Sequence, residues 1–276
     1  MDEAINQRIR KALVARRADQ FRLLGLMARM RSENPPGDLG PHAIKTAEWL
    51  KKIAGLTAVR HAVPDEEAHA QGLKSLANLV IRHEFGPGPT IALQAHGDTV
   101  PAGAGWSGDP FSADIQDGIM YGRGVAEAKG SLAAYVFALV GLKSVAAELG
   151  GAVEIHVTYD HETGGALGVP WLIEHGVVNP DYAICAGGTW GITTRHHGAL
   201  RLAVEVRSQN TGAAEAGQAT ARVLDTLYAL RGAIKPPDDG IEPPPGLAVG
   251  GIHGEGGKDS APGVVTINVT RGLAAD

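Results

Sequence analysis

His96 and Asp98 stand two residues apart at the end of an apolar run that begins Ile91-Ala92-Leu93. Alternate side chains of an extended segment share a face, so this spacing sets the imidazole beside the carboxylate. An imidazole can bind a metal ion through one ring nitrogen while a carboxylate orients it through the other. Glu127 comes next, in Glu127-Ala128-Lys129-Gly130, just ahead of an apolar stretch at 131–142 that reads as a helix. A carboxylate at the start of a helix suits the positive end of its dipole. A third polar cluster, Asp160-His161-Glu162-Thr163-Gly164-Gly165, closes the apolar run at 152–159. The plainer alternative for the stretch 91–130 is a strand, a surface loop and a helix carrying scattered charges, and for His161 a solvated or core-satisfied histidine.

The elements around these clusters follow from periodicity. Apolar residues at helical spacing predict one or two helices in 4–31, up to the break at Pro35-Pro36-Gly37, and another over 41–54. Strands are expected at 57–63, 76–85 and 90–95, with 76–85 and 90–95 adjacent, and a charged turn containing His69 at 65–72. The strand at 152–159 precedes a helix near 169–175 and a buried strand at 182–186 that holds Cys185 as a packing residue. Strands alternating with helices indicate an α/β domain with a mainly parallel sheet, and such sheets carry their sites beyond the strand ends. From residue 199 the pattern changes to strand, helix, proline-rich loop and two more strands. The expected domains are therefore 1–198 and 199–276.

Composition narrows the function classes. The 276 residues carry a net charge of −5 with no basic cluster, which argues against nucleic acid or an anionic membrane as partner. No apolar run approaches the ~20 residues of a membrane helix. The charged N-terminus lacks a secretory core, and the single cysteine fits a reducing compartment, so a cytoplasmic protein is expected.

The segment Ala95-His96-Gly97-Asp98-Thr99-Val100-Pro101, then Trp106, Asp109-Pro110-Phe111, Tyr121-Gly122-Arg123-Gly124 and Lys129-Gly130 resembles a zinc-dependent peptidase and deacylase family. That family includes acetylornithine deacetylase, succinyl-diaminopimelate desuccinylase, glutamate carboxypeptidases and aminoacylases. The resemblance implies a phosphorylase/hydrolase-like catalytic domain and a partial α+β lid. It makes His96 a metal ligand and Asp98 its catalytic partner. Glu127 stands at a bridging carboxylate that is normally Asp. His161 stands at the general-base position, normally Glu, and Glu162 at a ligand position.

The chain departs from that pattern elsewhere. Gly187 stands where a further acidic ligand belongs, and Ser208-Gln209-Asn210-Thr211-Gly212 and the residues after it offer no lid histidine. The resemblance also implies a chain short of the family's last segment, which carries a final histidine ligand. His196-His197 and His253 are read as surface and loop residues, Arg123 as holding its loop, Asp160 as fixing a turn, and Lys129 as pairing with a nearby carboxylate. The expected centre is a single Zn²⁺ or Mn²⁺ held by His96, Glu127 and Glu162, with His161 as base or additional ligand. The expected function is metal-dependent hydrolysis of a C–N bond in a small N-acyl amino acid or peptide. The alternatives are removal of an amino group from an activated aromatic amine, as in 5-nitroanthranilate aminohydrolase, and a non-catalytic homologue or fragment. A homodimer acting on a small-molecule substrate is expected.

Overall fold

Helical periodicity in the N-terminal part yields α1 (Glu3–Ala15), α2 (Arg17–Arg29) and α3 (Gly40–Trp49), the last continuing as a wider turn over Leu50–Ala54. The computed structural model describes residues 2–185, 187, 197–207, 213–235, 246–255 and 264–273. Asp2 caps α1 by accepting the Ala4 N–H at 3.1 Å. β1 (Val59–Ala62) follows, then α4 (Asp65–Ala70). The charged turn expected there is instead a short helix, because Asp65, Glu66 and Glu67 sit in its first turn, where unpaired N–H groups favour acids. Glu67 also accepts a hydrogen bond from Trp171 Nε1 at 2.8 Å.

The remaining elements up to residue 185 are β2 (Ala77–Glu84), β3 (Thr90–His96), β4 (Asp114–Gln116), β5 (Ile119–Tyr121), α5 (Lys129–Lys143), β6 (Ala152–Thr158), α6 (Val169–Glu174) and β7 (Tyr182–Cys185). They form a mixed five-stranded sheet in the order β1-β2-β6-β3-β7. β6, β3 and β7 run parallel, while β2 is antiparallel to both β1 and β6. The expected adjacency of β2 and β3 is therefore a miss: β6 lies between them. All seven residues of β6 are buried, which suits a central strand and not an edge.

Alternation splits the sheet into two faces. Leu79, Ile81, Leu93, Ala95, Ile155 and Val157 join one hydrophobic core with residues of α2, α3 and α5. The opposite face carries Gln94, His156 and Thr158, which share a cavity with Val169, Pro170 and Ile173 of α6. Cys185, expected in a buried strand, is exposed. Among the described residues, β7 pairs on one side only, and all four of its residues are exposed.

The chain forms two compact units, Met1–Gly188 and Thr189–Asp276. The second contains β8 (Gly198–Arg207), α7 (Ala213–Ala233), β9 (Leu247–Glu255) and β10 (Val264–Leu273), with an antiparallel sheet ordered β8-β10-β9. Val206, Val265, Ile267 and Val269 pack there against Val223, Leu224 and Leu227. His253, expected in a loop, lies within β9 opposite Thr266, because the strand runs on past Ile252. His196 and residues 208–212 of the segment expected to lack a lid histidine lie outside the described residues. No helix among the described residues is long and apolar enough to cross a membrane.

Candidate active site

The chain turns at Gly97 as it leaves β3. Gly97 N–H bonds Thr158 O at 2.8 Å, and Ser32 Oγ donates to Gly97 O at 2.7 Å. The turn lies directly on the ring of Tyr159: a Cβ at position 97 would come within 2.3 Å of Tyr159 Cε1. Tyr159 is fully buried and cannot yield. Gly97→Ala is therefore expected to cost about 1–3 kcal/mol by overpacking, read as a Tm lowered by several degrees. An unchanged Tm would show that this contact is not tight.

Within this turn, His96 Nδ1 is 3.2 Å from Asp98 Oδ1 and 3.1 Å from Asp98 O. Nδ1 so engaged leaves Nε2 as the nitrogen available to a ligand. Asp98 Oδ2 accepts from Asn34 Nδ2 and from the Glu162 backbone N–H, each at 3.1 Å. Asn34 Nδ2 also donates to Thr163 Oγ1 at 3.0 Å. The buried Asn34 thus ties the end of β3 to the short 3₁₀ turn, His161–Thr163, that carries His161 and Glu162. Sequence reasoning missed this residue. Its only signal is an Asn before Pro35-Pro36-Gly37, which reads equally well as a chain break.

Electrostatics follow from these contacts. Burial opposes a charge on His96, but the hydrogen bond and charge of Asp98 and the charge of Glu162 outweigh it and raise the imidazole above its ordinary pKa. Burial likewise disfavours ionised Asp98, yet the His96, Glu162 and Asn34 hydrogen bonds prevail and hold its carboxyl below the usual range.

Glu127 is placed by a strained turn. Ala128 has φ 64° and ψ −73°, and Lys129 N–H bonds Glu127 O at 2.9 Å. This three-residue turn with positive φ is rare and strained, a kind of feature that clusters at functional sites. Lys129 does not pair with a carboxylate as expected. It is fully buried and donates from Nζ to Met27 O at 3.0 Å, because the start of α5 packs over the end of α2. Burial lowers its ammonium to about 8, against the attraction of Asp98 and Glu33. Arg123 holds its loop through Ala102 O at 2.9 Å, with its guanidinium 5.3 Å from the centre of the Trp106 ring.

His161 is exposed, and its ring stacks on His96 with centroids 4.0 Å apart and planes 19° from parallel. Asp160 fixes this turn, its carbonyl accepting from Thr163 N at 3.1 Å and Gly165 N at 2.9 Å. His96, Asp98, Glu127 and Glu162 line one cavity of about 250 Å³ together with Thr99 and Arg123. His161 lines the neighbouring cavity instead.

The chemistry of this donor set fits a divalent ion: one oriented imidazole nitrogen and two carboxylates, without thiolate. The grouping does not yet close a cage. Among the described residues, no three His, Cys, Asp or Glu side chains are gathered closely enough to hold an ion. The convergence expected of His96, Glu127 and Glu162 is thus seen as a shared cavity and not as a ligand set, since the three come from the end of β3, the turn before α5 and the 3₁₀ turn after β6. Gly187, exposed, brings no donor.

Comparison with known proteins gives consistent results. Residues 92–259 match the profile of peptidase family M20/M25/M40. Succinyl-diaminopimelate desuccinylase from Nautilia profundicola is 32% identical over 162 residues, covering 58% of this chain and 39% of that protein. The Thioalkalivibrio sulfidiphilus enzyme of the same name is 31% identical over 251 residues, covering 83% of this chain and 66% of its own. The chain therefore spans less than two thirds of these relatives. Among solved structures, the di-peptidase Dug1p from Saccharomyces cerevisiae superposes with a TM-score of 0.73 at 16% identity, covering 100% of this chain and 73% of that one. Human carnosine dipeptidase 1 gives 0.71 at 17% identity, covering 96% and 72%. At these identities the structural likeness speaks for the fold.

Proposed function

The chain belongs to peptidase family M20/M25/M40, and from that premise we propose that it is a metal-dependent hydrolase of a C–N bond in a small N-acyl amino acid or peptide. The observation that carries this reading is the His96–Asp98 pair, with Nε2 left free on a cavity shared with Glu127 and Glu162. The family generally uses divalent metal ions, and we assign one Zn²⁺ or Mn²⁺ to His96, Glu162 and Glu127. Such an ion, when bound, lowers the pKa of its water and polarises the carbonyl to be attacked.

The protein's own groups have distinct tasks. Asp98 holds Nδ1 of His96, fixing the tautomer that leaves Nε2 unprotonated for the ion. Asn34 and the Glu162 N–H keep Asp98 ionised for that purpose. His161 is the imidazole assigned to take a proton from water and return it to the leaving nitrogen, since an imidazole ring can accept a proton and give it back. In the overall reaction, the oxygen of water joins the acyl carbon and the C–N bond breaks. The nitrogen keeps the transferred proton, giving a carboxylate and an amine.

A panel of N-acetyl, N-succinyl and longer N-acyl amino acids, incubated with the protein and Zn²⁺ or Mn²⁺, tests this. Amine release that requires the ion and stops on chelation is expected. No release from any member with either ion would overturn the reading. We also assign the protein to the cytoplasm, from its single cysteine. The expected partner is a second copy, pairing at strands β8 and β9, which are the outer strands of the β8-β10-β9 sheet among the described residues.

A further inference from the structure

Glu127 differs from the other residues around the ion cavity in how it is held. His96 and Asp98 hold each other, and Asp98 is held in turn by Asn34 and the Glu162 N–H. The Glu127 side chain makes no hydrogen bond or ion pair among the described residues, yet it lines the same cavity. Its direction is therefore set by the backbone that carries it. That backbone is the turn at Ala128, with φ 64° and ψ −73°.

A conformation of this kind persists only where its surroundings over-determine it. The chain is tightly folded there: a Cβ at Gly130 would come within 2.3 Å of Val125 O. Leu132 N–H bonds Ala128 O at 2.8 Å, which fixes the C-terminal side of the turn to α5. Among the described residues, Lys129 is the one side chain of 125–130 that bonds outside this segment. Its Nζ reaches Met27 O at 3.0 Å and Met30 O at 3.5 Å, both at the end of α2.

Packing alone does not explain a lysine at this position. An ammonium in the first residue of a helix has the wrong sign for that end of the dipole; here it serves the negative end of another helix. It is fully buried and makes no ion pair with a carboxylate among the described residues. Burying a charge is costly, and an apolar side chain of similar length would fill the space without that cost. An apolar side chain would not supply direction. Hydrogen bonds to fixed carbonyls set where the end of the side chain lies, and through it the start of α5.

We propose that Lys129 is a positioning residue of the ion site: its ammonium, anchored on the end of α2, holds the turn at Ala128 and so turns the Glu127 carboxylate toward the cavity. This rests on the assignment of Glu127 as a ligand in the hydrolase reading above.

The test is a double-mutant cycle on the full chain, read by calorimetric titration with Zn²⁺ and by Tm. Lys129→Met is expected to weaken Zn²⁺ binding about tenfold or more. Where Glu127→Gln has already removed the carboxylate, the same change should alter Zn²⁺ affinity by less than about twofold. Met27 O keeps a neighbour in the variant, His42 Nε2 at 3.1 Å. Lys129→Gln retains a donor for Met27 O and covers the case of a Lys129→Met protein that does not fold. Its loss should be smaller, about threefold, and again confined to the protein that has Glu127. A lysine that only stabilised the fold would lower Tm and weaken Zn²⁺ equally in both backgrounds, which would overturn the proposal. If Glu127→Gln weakens Zn²⁺ while neither lysine variant does, the positioning role falls and the ligand assignment stands. If Glu127→Gln leaves Zn²⁺ affinity unchanged, Glu127 is no ligand and both fall.

Discussion

His96→Ala is expected to lower ion-dependent amide hydrolysis about a thousandfold in kcat/KM, equivalent to about 4 kcal/mol of transition-state stabilisation. The backbone of β3 is held by ladders to β6 and β7, so removing the ring leaves the strand in place. The variant removes the only proposed ligand whose coordinating atom the structure already orients, through Nδ1 and Asp98. Retained zinc or manganese, read by elemental analysis after gel filtration, should fall with the activity. Asp98→Asn is expected to be milder, at about 10–100-fold in ion affinity, because the ligand survives and only its orientation and basicity suffer. The two variants separate holding an ion from presenting it. Because contacts with Asp98 and Glu162 raise the His96 pKa, ion uptake has to displace a proton there and should weaken as pH falls. A His96→Ala protein that keeps both its ion and its turnover within about threefold would sink the proposed function.

What could be read in advance and what could not divides along a physical line. The spacing of His96 and Asp98 is local, and strand alternation alone sets the two side chains together. Helices α1 to α3, α5 and α7 follow from local periodicity, and the family profile matches residues 92–259, which include that pair. Strand order is not local. Nothing in residues 76–95 says that β6, sixty residues on, will insert between β2 and β3. Only the continuous burial of β6 explains it afterwards. The same holds for Asn34, whose two hydrogen bonds join Asp98 and Thr163 across 64 and 129 residues. Lys129 was misread because an ammonium normally seeks a carboxylate or water. Here backbone carbonyls at the end of α2 receive it. The positive φ of Ala128 has no signal at all, since alanine has no preference for that region.

Beneath the site lies a layer that the chemistry does not touch and that should set the acid stability of the fold. His42 is buried, with Nε2 3.1 Å from Met27 O and Nδ1 3.1 Å from Tyr159 Oη. Tyr159 is the ring on which Gly97 rests, and Met27 O also receives Lys129 Nζ. Burial, reinforced by the Lys129 charge, lowers the His42 pKa from 6.5 to about 3, against weaker help for the charged form from Met27 O and Asp98. The unfolded chain therefore binds more protons than the folded one between those values. The stability from a neutral His42 is present in full above pH 6.5 and is lost as pH falls toward 3, at about 1.4 kcal/mol per pH unit. By pH 4.5 the loss reaches about 3 kcal/mol. His42→Gln keeps a donor for Met27 O and an acceptor for the Thr46 hydroxyl, and has no proton to gain. Urea unfolding from pH 7 to 4.5 should show the variant losing about 3 kcal/mol less than the parent over that range, whatever its offset at pH 7. Parallel curves would mean that His42 charges in place, and that the layer under Gly97 admits water or rearranges before the fold gives way.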